Sequence, residues 1–275
     1  MTIFHPTDFS DSSHTAFRHA LRIAFELKMG LTIMHVGDGD HHDSWSAFPH
    51  IRETLAGWNL IDADISREDL EKLVGLRVAK IEATGSNPVD VMTHYLDEHD
   101  VNMIVMATQG RSGMAAVTHP SVARALARKV KRPFLFVRDG VPGFIMPDGH
   151  LKLDHVLVPV DDKPDPQLAI DAVVRLTKSW EGTVGTLEAL HVGEGMMRST
   201  LFVPELEGTV LKSTARTGDP EEVIPAVASD HKTDLIVMVY AGPDRLAEKL
   251  TGSTTEQVMR AAPCPVLALP EPGYG

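Results

Sequence analysis

One order of segments occurs twice in this 275-residue chain, and that duplication limits the possible folds more than any single motif does. Ile3-Phe4-His5-Pro6-Thr7-Asp8 lines up with Val156-Leu157-Val158-Pro159-Val160-Asp161, each an apolar run followed by Pro, one residue and Asp. Ile33-Met34-His35-Val36 matches Ala189-Leu190-His191-Val192, and Asn102-Met103-Ile104-Val105-Met106 matches Asp234-Leu235-Ile236-Val237-Met238. Arg132-Pro133-Phe134-Leu135-Phe136-Val137 matches Cys264-Pro265-Val266-Leu267-Ala268-Leu269. The offset is 153 residues at the first match and 132 at the last, so the second copy is 21 residues shorter, the loss falling between the second and fourth strands.

The apolar runs read as buried strands, and the segments between them carry helical spacing. Ala16, Ala20, Ile23, Ala24 and Leu27 recur at three and four residues, as do Leu168, Ala172, Val173 and Leu176 in the second copy. Strand and helix in alternation argue for a parallel sheet with right-handed crossovers. The expected fold class is therefore α/β: two tandem open parallel-sheet domains of about five strands each, related by a pseudo-twofold axis. Each is expected to have its own sheet, not one sheet continuous across residues 1–275. The expected boundaries are 1–139, a hairpin linker over 140–153 centred on Pro147-Asp148-Gly149, and 154–275. Residues 38–67, the insert peculiar to the first copy, hold Trp45, Phe48, Ile51, Leu55 and Trp58. A short amphipathic helix through Ile51, Leu55 and Trp58 is expected to cover the sheet edge or a partner chain, including a second copy in a homodimer.

Composition excludes several classes. A formal net charge of −12 is a poor footprint for wrapping nucleic acid or lying on anionic lipid. No window approaches the ~18 apolar residues of a membrane span, and the opening residues carry no secretory pattern, so a cytoplasmic location is expected. The single Cys264 sits between two prolines ahead of an apolar run and reads as a small buried filler.

Ligands of an open parallel sheet bind beyond the carboxyl ends of its strands. Thr7, Asp8, Val36 and the segment after Met106 converge there in the first half. Asp161, Val192 and the segment after Met238 do so in the second. Ala107-Thr108-Gln109-Gly110-Arg111 leads through Ser121 and Val122 into an Ala-rich helix, and Val239-Tyr240-Ala241-Gly242 leads to Gly252-Ser253-Thr254-Thr255-Glu256. A glycine-bearing loop feeding a helix N-terminus presents backbone N–H groups suited to a phosphate.

This order of Pro-x-Asp, His-Val, Ile-Val-Met and a late glycine loop resembles the universal stress protein family in its tandem two-domain form, over essentially the whole chain. The resemblance implies an adenine nucleotide alpha hydrolase-like, Rossmann-like fold and binding of ATP or another adenine nucleotide, with or without Mg²⁺. It assigns the adenine and ribose to the first-strand Asp and the backbone after the second-strand His, and the ribose and phosphates to the late loop. Carried over, the candidate binding residues are Thr7, Asp8, Val36, Ala107, Gly110, Arg111, Ser121 and Val122 in the first half. In the second they are Asp161, Val192, Gly242, Gly252, Ser253 and Thr254.

Both halves depart from the family's Gly-x2-Gly-x9-Gly-Ser/Thr pattern: Ala107 and Pro120 replace glycines in the first, and Val239 replaces one in the second. Ala107 adds less bulk than Val239. Arg111 and Arg124 are expected to attract a polyphosphate that Asp244, Glu248 and Glu256 repel, which favours the first half, whereas the intact Gly252-Ser253 entry favours the second. Structural roles are open to the same residues: Ser253 to Glu256 form a capping box, and Asp8 and Asp161 are placed to cap the following helices. His41, His42 and His50 lie among Asp38, Asp40 and Asp43 without the fixed spacing of a metal site. No phosphate loop of the Gly-x4-Gly-Lys type, His-Glu-x2-His, paired Cys motif or nucleophile elbow is present, so no catalytic residue is assigned and any ATP hydrolysis is expected to be slow. Three functional readings follow: a nucleotide-binding stress-response protein, a nucleotide-free interaction module, and a slow nucleotide hydrolase.

Overall fold

The computed structural model describes residues 1–37, 42–108, 122–180, 184–195, 200–240 and 254–271. The first half runs β1 (Thr2–Pro6), α1 (Asp11–Glu26), β2 (Gly30–Val36), α2 (His42–Ala47), α3 (Ile51–Gly57) and α4 (Arg67–Asp69), the last extended by a π turn (Leu70–Val74). It continues with β3 (Val78–Ala83), α5 (Pro88–Glu98), β4 (Met103–Thr108), α6 (Val122–Lys129) and β5 (Phe134–Arg138). The second half comprises β6 (His155–Val160), α7 (Gln167–Ser179), β7 (Thr186–Val192), β8 (Val210–Arg216), α8 (Pro220–Asp230), β9 (Leu235–Tyr240), α9 (Thr254–Ala261) and β10 (Val266–Pro270).

Local chemistry marks the starts of α5 and α8 identically. Asn87 caps α5 by accepting from the Val89 amide, and Asp219 caps α8 by accepting from the Glu221 amide. Each cap is followed by a proline at the first helical position, where its missing N–H costs nothing. Ser10 caps α1 in the same way through the Ser13 amide.

The strand order is β3-β2-β1-β4-β5-β10-β9-β6-β7-β8. Pairing is parallel within each set of five and antiparallel between β5 and β10, where Phe136, Leu135 and Phe134 face Val266, Leu267 and Ala268. The α/β class, the five strands per copy and the pseudo-twofold relation match the sequence expectation. The separateness of the two sheets does not: they form one ten-stranded sheet. The reason lies at the inner edges. β5 and β10 are apolar on both faces, so either one left unpaired is an exposed, aggregation-prone edge, and pairing them removes both edges. Helices cover the two faces of this common sheet. One core layer joins Ile3, Phe17, Ile33 and Val105 to Val158, Val173 and Val237. The other joins Phe4, Met92, Leu126 and Phe136 to Leu157, Ile224 and Val258.

Between the halves the chain forms a hairpin. Ile145 bridges Leu151, and the Met146 amide donates to the His150 carbonyl at 2.9 Å. Two glycines let it dock. A Cβ at Gly143 would meet the His19 ring at 1.9 Å, and one at Gly149, whose φ is +80°, would meet Trp58 at 2.2 Å. His19, in α1, has no exposed surface. Its Nδ1–H donates to the Thr15 carbonyl, which leaves Nε2 to accept from the amides of Phe144 (3.0 Å) and Ile145 (3.2 Å). Phe144 stands edge-on to His19 and leans on Trp180 at the end of α7, so the hairpin wedges the two halves together on this face.

The insert folds onto the chain. Phe48, Leu55 and Trp58 are buried, and Ile51 packs against the core. Trp58 Nε1 donates to the Pro147 carbonyl of the hairpin, and Lys80 of the edge strand β3 lies over the rings of Trp45 and Phe48. These apolar side chains pack within the chain, against its core, the edge strand and the hairpin.

Two buried histidines make the fold acid-sensitive. His5, in β1, donates from Nδ1 to the Val105 carbonyl, and its buried Nε2 has no hydrogen-bond partner among the described residues. Burial pushes His5 and His19 each down to about 4. Their unfolded forms titrate near 6.5, so between pH 6.5 and 4 the unfolded chain binds protons that the folded chain refuses. Stability present at neutral pH is therefore lost as pH falls through that window, ~3 kcal/mol for each histidine. Urea denaturation at pH 7, 5.5 and 4.5 should show this slope, and a His5→Gln variant should show a shallower one whatever its absolute stability. Gly143→Ala should lower stability by about 1–3 kcal/mol, read from the same curves, because the new methyl displaces His19 from both hairpin amides.

Candidate functional site

Parallel register assembles the strand-end residues. Pro6 pairs with Met34, and the Thr7 amide donates to the Met34 carbonyl at 2.8 Å, which sets Thr7 and Asp8 alongside His35 and Val36. Ile3 pairs with Met103, so Ala107, the penultimate residue of β4, lies level with Thr7. The corner is held from below by polar side chains. His35 Nδ1–H donates to the Thr7 carbonyl at 2.8 Å. Thr7 Oγ1 is buried and accepts from the Phe9 amide and the Ser13 hydroxyl.

Asp8 is exposed but fixed: Oδ1 accepts from both the amide (3.1 Å) and the hydroxyl (2.6 Å) of Ser10, the residue that caps α1. Asp8 is therefore one step removed from the capping role open to it in the sequence. Phe9, beside it, has φ of +63°, a strained value for a residue with a Cβ. Its half-buried ring lies 4.5 Å from that of His35 and 5.0 Å from that of Trp45.

The second corner is built differently. His191 Nδ1 approaches the Val160 carbonyl at 3.3 Å, as His35 does Thr7, and the register Val160 to His191 brings Asp161 alongside Val192. Asp161, however, accepts among the described residues only from the amide of its neighbour Asp162. Val239 does not project its isopropyl group outward; it lies in the core layer with Val160 and Val237.

The structure thus collects Thr7, Asp8, Val36 and Ala107 at one strand-end edge, and Asp161 and Val192 at another. Because β5 and β10 pair antiparallel, these edges lie at opposite ends of the common sheet. Val122 and Thr254 open α6 and α9. Gly110, Arg111, Ser121, Gly242, Gly252 and Ser253 lie outside the described residues, as do Asp244 and Glu248 and the His41 end of the histidine-rich loop.

One electrostatic expectation is overturned. Arg124 and Glu256 were set in opposition, one attracting and one repelling phosphate, each in its own half. Instead they bind each other across the pseudo-twofold: Glu256, nearly buried on α9, receives Arg124 Nη1 at 3.2 Å and Arg128 Nη2 at 2.7 Å from α6. The cause is the β5–β10 pairing, which lays α6 and α9 side by side above Phe134, Phe136 and Ala268.

Sequence reasoning missed a second polar cluster. Glu188, the third residue of β7, has no exposed surface. Its carboxylate accepts from His155 (3.0 Å), His231 (2.7 Å) and Thr214 (2.5 Å), and Lys212 Nζ stands 3.2 Å away. Burial alone would raise its pKa, but the hydrogen bonds from Thr214, His231 and Lys212 together outweigh that and hold it at about 2. The signal was an acidic residue inside the apolar run Thr186–Val192. Cys264 is buried as expected, its thiol pushed up to about 12 by burial, a value at which it is unreactive.

Among the described residues, no helix is long and apolar enough to cross a membrane. The sequence model of the Universal stress protein family matches residues 1–138 and 188–270. A universal stress protein from Archaeoglobus fulgidus DSM 4304 superposes with a TM-score of 0.62 at 18% identity, covering 98% of both chains. A functionally unknown protein from Pseudomonas aeruginosa PAO1 superposes with a TM-score of 0.59 at 14% identity, covering 98% of this chain and 92% of its own. No curated protein matches the chain in sequence.

The cross-seam ion pair should be measurable. A double-mutant cycle of Arg124→Met and Glu256→Gln, read by denaturant unfolding, should give a favourable coupling of about 1 kcal/mol, since Glu256 is shielded and Arg124 only partly exposed.

Proposed function

The chain belongs to the universal stress protein family, and from that premise we propose that it binds an adenine nucleotide, ATP foremost, at the strand-end edge of its first half. The role is regulatory, in a stress response in the cytoplasm, without fast catalysis. The observation that carries the choice of half is the state of the two aspartates. Asp8 is held in one orientation by two hydrogen bonds from Ser10, and among the described residues its Oδ2 has no hydrogen-bond partner, so it is ready to accept from a ribose hydroxyl or the purine amino group. Among the described residues Asp161 accepts no such pair of hydrogen bonds, and it neighbours a second acid, Asp162. Phosphates are assigned to the loop of Gly110, Arg111 and Ser121 and to the amide of Val122, with Mg²⁺ entering only as a companion of the nucleotide. The competing reading, a nucleotide-free interaction module, is supported by the pairing of Arg124 with Glu256, which removes a cation from phosphate binding.

The charge terms that distinguished the halves in the sequence are thus reduced to Arg111 against Asp244 and Glu248, and the orientation of Asp8 takes their place. Calorimetric titration of Mg-ATP decides the matter. Binding should vanish in Gly110→Trp, persist in Gly242→Trp, and weaken about tenfold or more in Asp8→Ala, the loss of one hydrogen bond to a charged group. Loss only in Gly242→Trp would assign the nucleotide to the second half, and no heat in the wild-type chain would favour the nucleotide-free module.

A further inference from the structure

The buried cluster around Glu188 lies at the opposite end of the β6–β7 strands from Asp161, and the nucleotide reading makes no use of it. Its three central side chains come from three elements: His155 begins β6, Glu188 lies inside β7, and His231 caps the C-terminus of α8. Both imidazoles point at one oxygen, with His155 Nε2 3.0 Å and His231 Nδ1 2.7 Å from Glu188 Oε2. One ligand atom from each residue lies within 4.8 Å of the other two.

We propose that His155, Glu188 and His231 form a binding site for a divalent transition metal of the zinc class. Two imidazoles and one carboxylate are a zinc donor set, and three protein ligands leave a fourth position for water or another ligand. The supporting shell is in place. Thr233 Oγ1 lies 2.9 Å from His155 Nδ1, and the Thr214 hydroxyl donates to the second oxygen of Glu188.

In the metal-free chain each ring donates an N–H to Glu188. A cation entering between the three displaces those two hydrogen bonds, and each ring proton moves to the ring's other nitrogen. On His155 that nitrogen is Nδ1, which then donates to the Thr233 oxygen. Each neutral imidazole keeps one proton, so the rearrangement balances. The positive charge that Glu188 requires in a dry site is meanwhile supplied by Lys212, on the edge strand β8 and 42% exposed, a side chain able to turn out into water when a metal takes its place.

The first half argues that this is a local specialisation and not a demand of the fold. There Thr32 occupies the register position of Glu188, opposite Phe4 as Glu188 is opposite Leu157. Its hydroxyl meets the Tyr95 hydroxyl at 3.4 Å, and His99, which follows α5 as His231 follows α8, stacks on Tyr95 at 3.8 Å. A neutral Thr–Tyr pair fills the place without any buried charge.

The test uses the full chain, first freed of metal with a chelator. Co²⁺ is titrated and followed by its visible d–d absorption, and Zn²⁺ is then added as competitor. The expected result is one Co²⁺ per chain with the intense bands of a low-coordinate site, displaced by one equivalent of Zn²⁺. His231→Ala and Glu188→Gln should abolish the bands, Thr233→Val should weaken binding about 10- to 100-fold, and Lys212→Met should tighten it by removing the competing cation. If Glu188→Gln fails to fold by circular dichroism, His231→Ala, at a partly exposed helix end, carries the test alone. Absence of d–d bands in the folded wild-type chain would overturn the proposal. So would unchanged bands and stoichiometry in His231→Ala, which would put the metal on other histidines. Neither outcome depends on whether nucleotide binds.

Discussion

Three antiparallel residue pairs between β5 and β10 organise the whole molecule. They join two five-stranded parallel sheets at the only inner edges available and convert two small units into one sheet with two continuous core layers. The same contact brings α6 against α9, so that Glu256 of one half becomes the counter-ion of Arg124 and Arg128 of the other. It also sends the two sets of strand ends in opposite directions, so the candidate crevices cannot act as a single composite site. On the other face the hairpin around Pro147 repeats this joining function, held by His19 and Trp58.

Buried polar groups do unequal work in the two halves. His5 and His19 are neutral and satisfy backbone groups, so they give register and docking at the cost of acid sensitivity. Glu188 is charged and surrounded by two imidazoles, a hydroxyl and an ammonium group. Removing any one partner of such a charge leaves it partly uncompensated in a dry environment, which is more costly than never having buried it. Retaining the cluster in one copy only, with Thr32 in the other, is what duplication permits: each copy keeps the scaffold, and one is released to carry different chemistry.

The strands that matched between the copies were legible because they are central. β1, β4, β6 and β9 are buried on both faces and read as unbroken apolar runs. The third strands, β3 and β8, gave no run, since they lie on the outer edges and β8 is exposed along nearly all its length. The placing of the candidate strand-end residues was legible in the sequence, because Pro-x-Asp and His-Val mark the ends of neighbouring strands. Its electrostatics were not. Arg124 and Glu256 are 132 residues apart in the chain, and charges assigned to separate crevices turned out to neutralise each other.

The sequence by itself determined the duplication, the α/β alternation, the direction of the strands within each copy and the family, since these depend on local periodicity and on the order of short motifs. Only the tertiary structure decided that the two sheets are one, that α6 and α9 share an ion pair, and that His155, Glu188 and His231 meet. An inner-edge strand buried in its own half has the same composition as one paired across a seam, and a histidine's partner is set by three-dimensional register between elements far apart in the chain. Periodicity records which face of a segment is dry; it carries no record of what lies on the other side.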